Sequence, residues 1–179
     1  IDLYHSIDNT AGVQSVSFEK QNNAGVFEEI IRKPVTSNLI TYTDTEVDVY
    51  AQSYSYRVRI IDSCGNIGQI SNTAKTILLT IEKDDILLKT YLNWSPYSGF
   101  NGSIIGYSVY RGIDGVFDSS PIAVLGSNER SFEDDLNAVT FTGKVCYYVE
   151  AIEGSNIYNN PKISRSNLAC TVFEPLIYI

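Results

Sequence analysis

Val145-Cys146-Tyr147-Tyr148-Val149-Glu150-Ala151-Ile152 is the stretch whose reading decides the fold. Val145, Tyr147, Val149 and Ala151 fall on one face, and Cys146, Tyr148 and Glu150 on the other. A period of two in β-branched and aromatic residues predicts a strand with one face in a core. The same pattern occurs in Tyr54–Ile61, Y-S-Y-R-V-R-I-I, with Tyr54, Tyr56, Val58 and Ile60 in register. Two copies of one central strand imply two copies of one domain.

Working outward, the copies match in order. Val16 corresponds to Tyr107, Phe18 to Val109 and Lys20 to Arg111, and ungapped extension places Ile1-Asp2-Leu3 on Leu92-Asn93-Trp94. Each copy then has a turn containing Gly-Val-Phe (Gly25–Phe27, Gly115–Phe117) and a short strand ending near an aromatic and an acid: Tyr42 and Asp44, then Phe132 and Asp134. Both copies close with Ser-Asn-x-Ala-x-Thr, at Ser71–Thr76 and Ser166–Thr171. Matches at both ends and in the middle define an internal repeat.

Composition agrees with an all-β chain. Its 179 residues include 13 Tyr and 7 Phe with no Met, and no helical Ala/Leu/Glu/Lys block is visible. That length suits two small domains of about 90 residues each. The net charge of −8 argues against nucleic acid as a partner, which requires a basic patch. Apolar runs fall far short of the roughly 20 residues that span a bilayer, so no direct membrane insertion is expected. Ile1 follows neither an initiator Met nor a signal peptide, and the chain is expected to be part of a longer one.

The strand order and turn spacing predict two antiparallel sandwiches. The expected boundaries are 1–79 for an incomplete first domain and 80–173 for a complete second one, with 174–179 leading into a further domain. The first domain begins where the second has reached its tryptophan strand, so it is expected to lack its first strand and part of its second. The edge and apolar face left open would need a strand from upstream or from another chain. Thr76–Glu82 joins the copies without a Gly, Pro or Ser run, which predicts a stiff, elongated pair. Trp94, Tyr54, Tyr56, Tyr147 and Val149 are the expected core, and burying Trp94 contributes on the order of 4 kcal/mol at most.

Cys146 and Cys170 lie on the outward faces of the central and last strands, where the first copy has Ser55 and Lys75. In such a sandwich these strands are neighbours, so a bridge between them is expected, with roughly 3 kcal/mol of stabilisation and an oxidising, extracellular setting. Cys64, in D-S-C-G-N, is expected to be an ordinary turn residue. The lone His5 leaves Ser-His or Cys-His catalysis without a convincing base. Asp84-Asp85 and Asp134-Asp135 lack calcium-loop spacing and are expected to be solvated acidic turns. No catalytic residue, metal site or cofactor is expected.

The Trp94 strand, Gly106–Arg111 (G-Y-S-V-Y-R), the Y-x-Y-x-V of Tyr54–Val58 and the closing Ser-Asn strand resemble tandem fibronectin type III domains, which are immunoglobulin-like in fold. The resemblance places Tyr54 at the tyrosine corner, where the second copy has Val145. Ile61–Asn66, Thr76–Leu79, Leu92–Tyr97, C-Y-Y-V-E-A-I and S-N-L-A-C are most similar to pairs found in very large secreted proteins of Bacteroidota. There the pair precedes the gliding motility-associated C-terminal domain, an export and attachment signal of the type IX secretion system. The resemblance implies a non-catalytic spacer at the bacterial cell surface, as in a gliding adhesin. Its implied partners are neighbouring domains of the same long chain and type IX secretion components or another surface protein.

The alternative is a ligand- or carbohydrate-binding module of a secreted adhesin or polysaccharide-degrading enzyme. Tyr97, Phe100, Tyr158, Asn159 and Asn160 sit in two loops, 96–103 and 153–162, that this fold brings to one end. They are candidates for an aromatic–amide surface fitted to a sugar ring. The opposing expectation is that these aromatics pack under their own loops and the amides serve turns.

Overall fold

The computed structural model describes residues 1–174 except Asn9, Ala11 and Thr142. The expected lead-in at 174–179 lies outside the described residues but for Glu174. Two compact units divide the chain, Ile1–Lys75 and Thr76–Ile179, and every regular element described is a β-strand.

The first unit contains β1 (Asp2–Ser6), β2 (Val13–Gln21), β3 (Phe27–Pro34), β4 (Leu39–Thr43), β5 (Ser55–Asp62), β6 (Ile67–Ile70) and β7 (Ala74–Lys75). One sheet is β1 with β4; the other runs β3-β2-β5, with β6 and β7 sharing the far edge of β5. The second unit contains β8 (Leu79–Asp84), β9 (Lys89–Trp94), β10 (Ile104–Ile113), β11 (Val116–Phe117), β12 (Ala123–Gly126), β13 (Ser131–Asp135), β14 (Lys144–Glu153), β15 (Ile163–Arg165) and β16 (Ala169–Val172). Its sheets are β13-β9-β8 and β10-β14, with β11 and β12 outside β10 and β15 and β16 outside β14. All pairings are antiparallel. Each unit is a fibronectin type III-like sandwich, and the first has no counterpart of β8 among the described residues.

Alternation builds the second core directly. Val145, Tyr147, Val149 and Ala151 of β14 are fully buried; they lie beside Tyr107 and Val109 of β10 in the same sheet and share one core with Leu92 and Trp94 of β9. The first core is smaller, centred on Val16, Phe18, Ile40 and Val58, with Leu3, Ile7 and Tyr42 only partly buried.

Three expectations need correction. The boundary falls at 75/76 and not 79/80: β7 ends with Lys75 against Ser55, whereas Leu79 pairs with Trp94, and Ile77 and Leu79 belong to the second core. The match of Ile1-Asp2-Leu3 to Leu92-Asn93-Trp94 is shifted by two. Leu3 faces Tyr42 as Leu92 faces Phe132, so His5 occupies the place of Trp94 and Ile1 that of Thr90. The second strand of the first unit is therefore almost whole. Finally, Asp134 is not part of a solvated turn; it is 6% exposed, while its neighbour Asp135 points to solvent, as alternation along a strand requires.

Candidate functional site

The packing of two sheets brings a cation, an acid and a tyrosine together in both units. In the first, the Lys20 ammonium and the Tyr56 hydroxyl donate to one oxygen of Asp44, each at 2.9 Å. In the second, Arg111 Nη1 donates to both oxygens of Asp134 at 2.8 Å, and the Tyr147 hydroxyl donates to Oδ2 at 2.8 Å. Thr90 Oγ1 donates to the Tyr147 hydroxyl at 2.7 Å. The cation comes from β2 or β10, the acid from the end of β4 or from β13, and the tyrosine from β5 or β14, so each triad ties the two sheets together. Burial raises the Asp44 pKa, but the Lys20, Tyr56 and Glu46 hydrogen bonds outweigh it and hold the carboxyl below its ordinary value. Burial, with Asp44 beside it, drives the Tyr56 hydroxyl upward, and burial does the same to Tyr147. Each tyrosine is therefore held as a hydroxyl donor, and Asp44 as the carboxylate that accepts from Tyr56.

Tyr54 makes the corner hydrogen bonds that the resemblance implies. Its hydroxyl accepts from the Asp48 amide at 2.9 Å and donates to the Asp48 carbonyl at 3.2 Å. Val145, at the matching place, is a fully buried core residue with no hydroxyl to offer.

Cys146 and Cys170 are bonded to one another as direct cross-strand partners of β14 and β16. Cys146 is not a surface residue; it is 3% exposed. Its neighbour on β10 is Gly112, over which Phe117 lies so closely that a Cβ would meet the ring at 2.6 Å. Phe117 in turn touches Tyr148, which stacks on Tyr110 at 4.7 Å and carries the Arg165 guanidinium 4.2 Å from its centroid. The equivalent face of the first unit is ionic. Glu19 binds both Arg57 and Arg59, and Arg57 lies over Phe27. Cys64 is an exposed free thiol in a turn organised by Asp62, whose carboxylate accepts the Cys64 and Asn66 amides.

At the loop end of the second unit, Tyr97 and Phe100 are in ring contact at 4.4 Å and pack against the core under their own loop. Tyr158, Asn159 and Asn160 belong to a separate turn, in which Asn156 Oδ1 accepts the Tyr158 and Asn160 amides and Asn159 is left-handed at φ 48°. Tyr158 is 69% exposed. The five residues thus divide between core packing and turn chemistry.

Sequence reasoning passed over Glu153, the residue that joins the two loops. It is 3% exposed, and its carboxylate accepts the Gly102 amide at 2.6 Å and the Lys162 amide at 2.8 Å. Gly102 permits the approach, since a Cβ there would lie 2.7 Å from the Ser155 carbonyl. Burial raises the Glu153 pKa, but these amide bonds and a side-chain hydrogen bond with Asn156 outweigh it and hold the carboxyl below its ordinary value. A folded pKa below the unfolded one stabilises above the unfolded value and ceases to do so as pH falls through the folded value. Glu153→Gln is therefore expected to destabilise the second unit at pH 7, with the difference from the parent shrinking as pH falls through the titration of the folded carboxyl. Denaturation curves of both chains between pH 3 and 7 check this; a pH-independent difference would remove the carboxylate from the explanation.

The strands and triads define a pair of fibronectin type III-like sandwiches. No protein-family profile matches the chain, and no curated protein matches it. Among solved structures, the pectate lyase Pel3 of Pectobacterium carotovorum is 29% identical over 56% of this chain and 28% of its own, at a TM-score of 0.42. The FN1-FN3 domains of chicken CNTN1 are 11% identical over 97% of this chain and 63% of theirs, at 0.42. A tetra-tandem repeat in the extending region of a large adhesion protein is 14% identical over 97% of this chain and 45% of its own, at 0.38. The chain spans less than two thirds of each of these structures.

Proposed function

We propose that the chain is a non-catalytic spacer of a large secreted cell-surface protein, set beside a C-terminal export and attachment domain of the type IX secretion system, as in a gliding adhesin. Its partners in this reading are neighbouring domains of the same polypeptide and components of the secretion and surface machinery. The observation that carries the proposal is the closure of the loop end. Glu153 stitches the two loops together, and Tyr97 and Phe100 are spent on the core. The Cys146–Cys170 bridge supports an oxidising, extracellular location.

A carbohydrate-binding module is the second reading, favoured by Ile157 and Tyr158, which are 87% and 69% exposed on one turn. Glycan-array binding by the intact chain and by the Tyr97→Ala/Tyr158→Ala chain separates the two. The spacer reading expects no saturable binding by either. Saturable binding by the parent that the double variant loses would overturn it.

A further inference from the structure

We infer that the Cys146–Cys170 bridge is open to thiol exchange at one sulfur only: Cys170 is the site at which a low-molecular-weight thiol attaches, and Cys146 is the thiol released. The inference holds whether the module is a spacer or binds a ligand.

Displacement at a disulfide needs a nucleophile behind the sulfur it attacks, in line with the bond that breaks. Strand order decides what lies behind each sulfur. Gly112 of β10, Cys146 of β14 and Cys170 of β16 stand in one row across the sheet. The approach to Cys146 Sγ therefore comes over β10. There the outward space above Gly112 is filled by Phe117, whose Cε2 would lie 2.6 Å from a Cβ at that position. Phe117 is itself braced by Tyr148, with 5.1 Å between ring centroids, and Cys146 is only 3% exposed. The approach to Cys170 Sγ comes from the other side of β16, a strand that pairs with β14 alone among the described residues. Lys83 reaches that edge at the Val172 carbonyl, beyond Cys170, and Cys170 is exposed.

The repeat associates this cover with the bridge. In the first unit Ser55 and Lys75 stand in place of the cysteines, and Gln21 pairs with Phe27 where the second unit pairs Gly112 with Phe117. Only a glycine lets the ring lie so low beside Cys146. In the exchange, the electron pair of the incoming thiolate forms a new S–S bond to Cys170 Sγ and the Cys146–Cys170 bond breaks. Cys146 Sγ leaves with the electrons of that bond and takes a proton from water. A thiolate expelled into a covered site is poorly solvated, which slows exchange at Cys170. It does not redirect attack to Cys146, which no nucleophile reaches until Phe117 moves. The released thiol stays beside Cys170, placed to expel the newcomer and close the bridge again.

Sulfite is the probe, because it attacks disulfides by the same displacement and leaves an S-sulfonate on the sulfur it strikes. Cys64 is first blocked with N-ethylmaleimide and the excess removed. The native full chain is then treated with sulfite, quenched in acid and mapped by mass spectrometry. Cys170 is expected to carry at least about ten times as much S-sulfonate as Cys146, whereas the chain unfolded in urea labels the two within about twofold. Phe117→Ala is expected to raise the Cys146 share severalfold. Should that variant misfold, the native and urea-unfolded parent still decide the matter between them. The proposal is overturned if the native chain labels both sulfurs as the unfolded chain does, or prefers Cys146. It is equally overturned if the native chain takes no label under conditions that label the unfolded one, or if folded Phe117→Ala keeps the ratio of the parent.

Discussion

Asp134→Ala is expected to lower the stability of the second unit by about 3–5 kcal/mol, as is typical when one partner of a buried ion pair is removed. Asp134 is 6% exposed and accepts hydrogen bonds from Arg111 and Tyr147. The Arg111 side chain is itself only 17% exposed. Deleting the carboxylate leaves a cation and a hydroxyl without their acceptor in a place water reaches poorly. Tyr147→Phe removes one neutral donor and is expected to cost only about 1 kcal/mol. Trp94, the single tryptophan, lies in the second core and makes its fluorescence in urea a probe of that unit. An Asp134→Ala midpoint indistinguishable from that of Tyr147→Phe would show that the ion pair does not hold the sheets. Asp44→Ala is expected to act in the same sense on the first unit, with a smaller effect, because the Lys20 side chain is more exposed, at 21%.

The second large effect is expected from the bridge. Cys146→Ala/Cys170→Ala removes a cross-link over a sequence separation of 24 and should cost the second unit about 3 kcal/mol, chiefly by freeing its unfolded chain. Alanine is the appropriate replacement, because serine would bury a hydroxyl at the covered Cys146 site. Reductant should bring the parent down to the double variant and leave the variant unmoved. The first unit, with Ser55 and Lys75 at the matching positions, should ignore both treatments. A double variant as stable as the parent would leave the bridge without a structural role.

Much of the architecture was legible because a strand with one buried face repeats every two residues. Tyr147 and Val149 could be placed inward from their neighbours alone, and the matched copies supplied the strand order. The same period explains the error at β1. I-D-L and L-N-W both alternate, so a slip of two preserves every inward position, and only the pairing of Leu3 with Tyr42 reveals it. The triads were half visible. Lys20 and Arg111, Asp44 and Asp134, and Tyr56 and Tyr147 each recur in the repeat, but nothing along the chain says that three separate strands converge. A cation, an acid and a tyrosine kept together in both copies was the available signal. Glu153 left no trace of that sort, because its role depends on two loops meeting at the end of β14. Composition likewise cannot distinguish an aromatic that covers a core, as Tyr97 and Phe100 do, from one that waits for a sugar.

The bond between β14 and β16 also has a consequence under tension. A chain pulled from its ends extends only through the residues outside a closed covalent loop. The 24-residue separation between Cys146 and Cys170 would withhold about 80 Å of contour length from the unfolded second unit. Stretched in an oxidising medium, that unit is thus the shorter tether of the two relative to its size, and a reductant would lengthen it without altering the first.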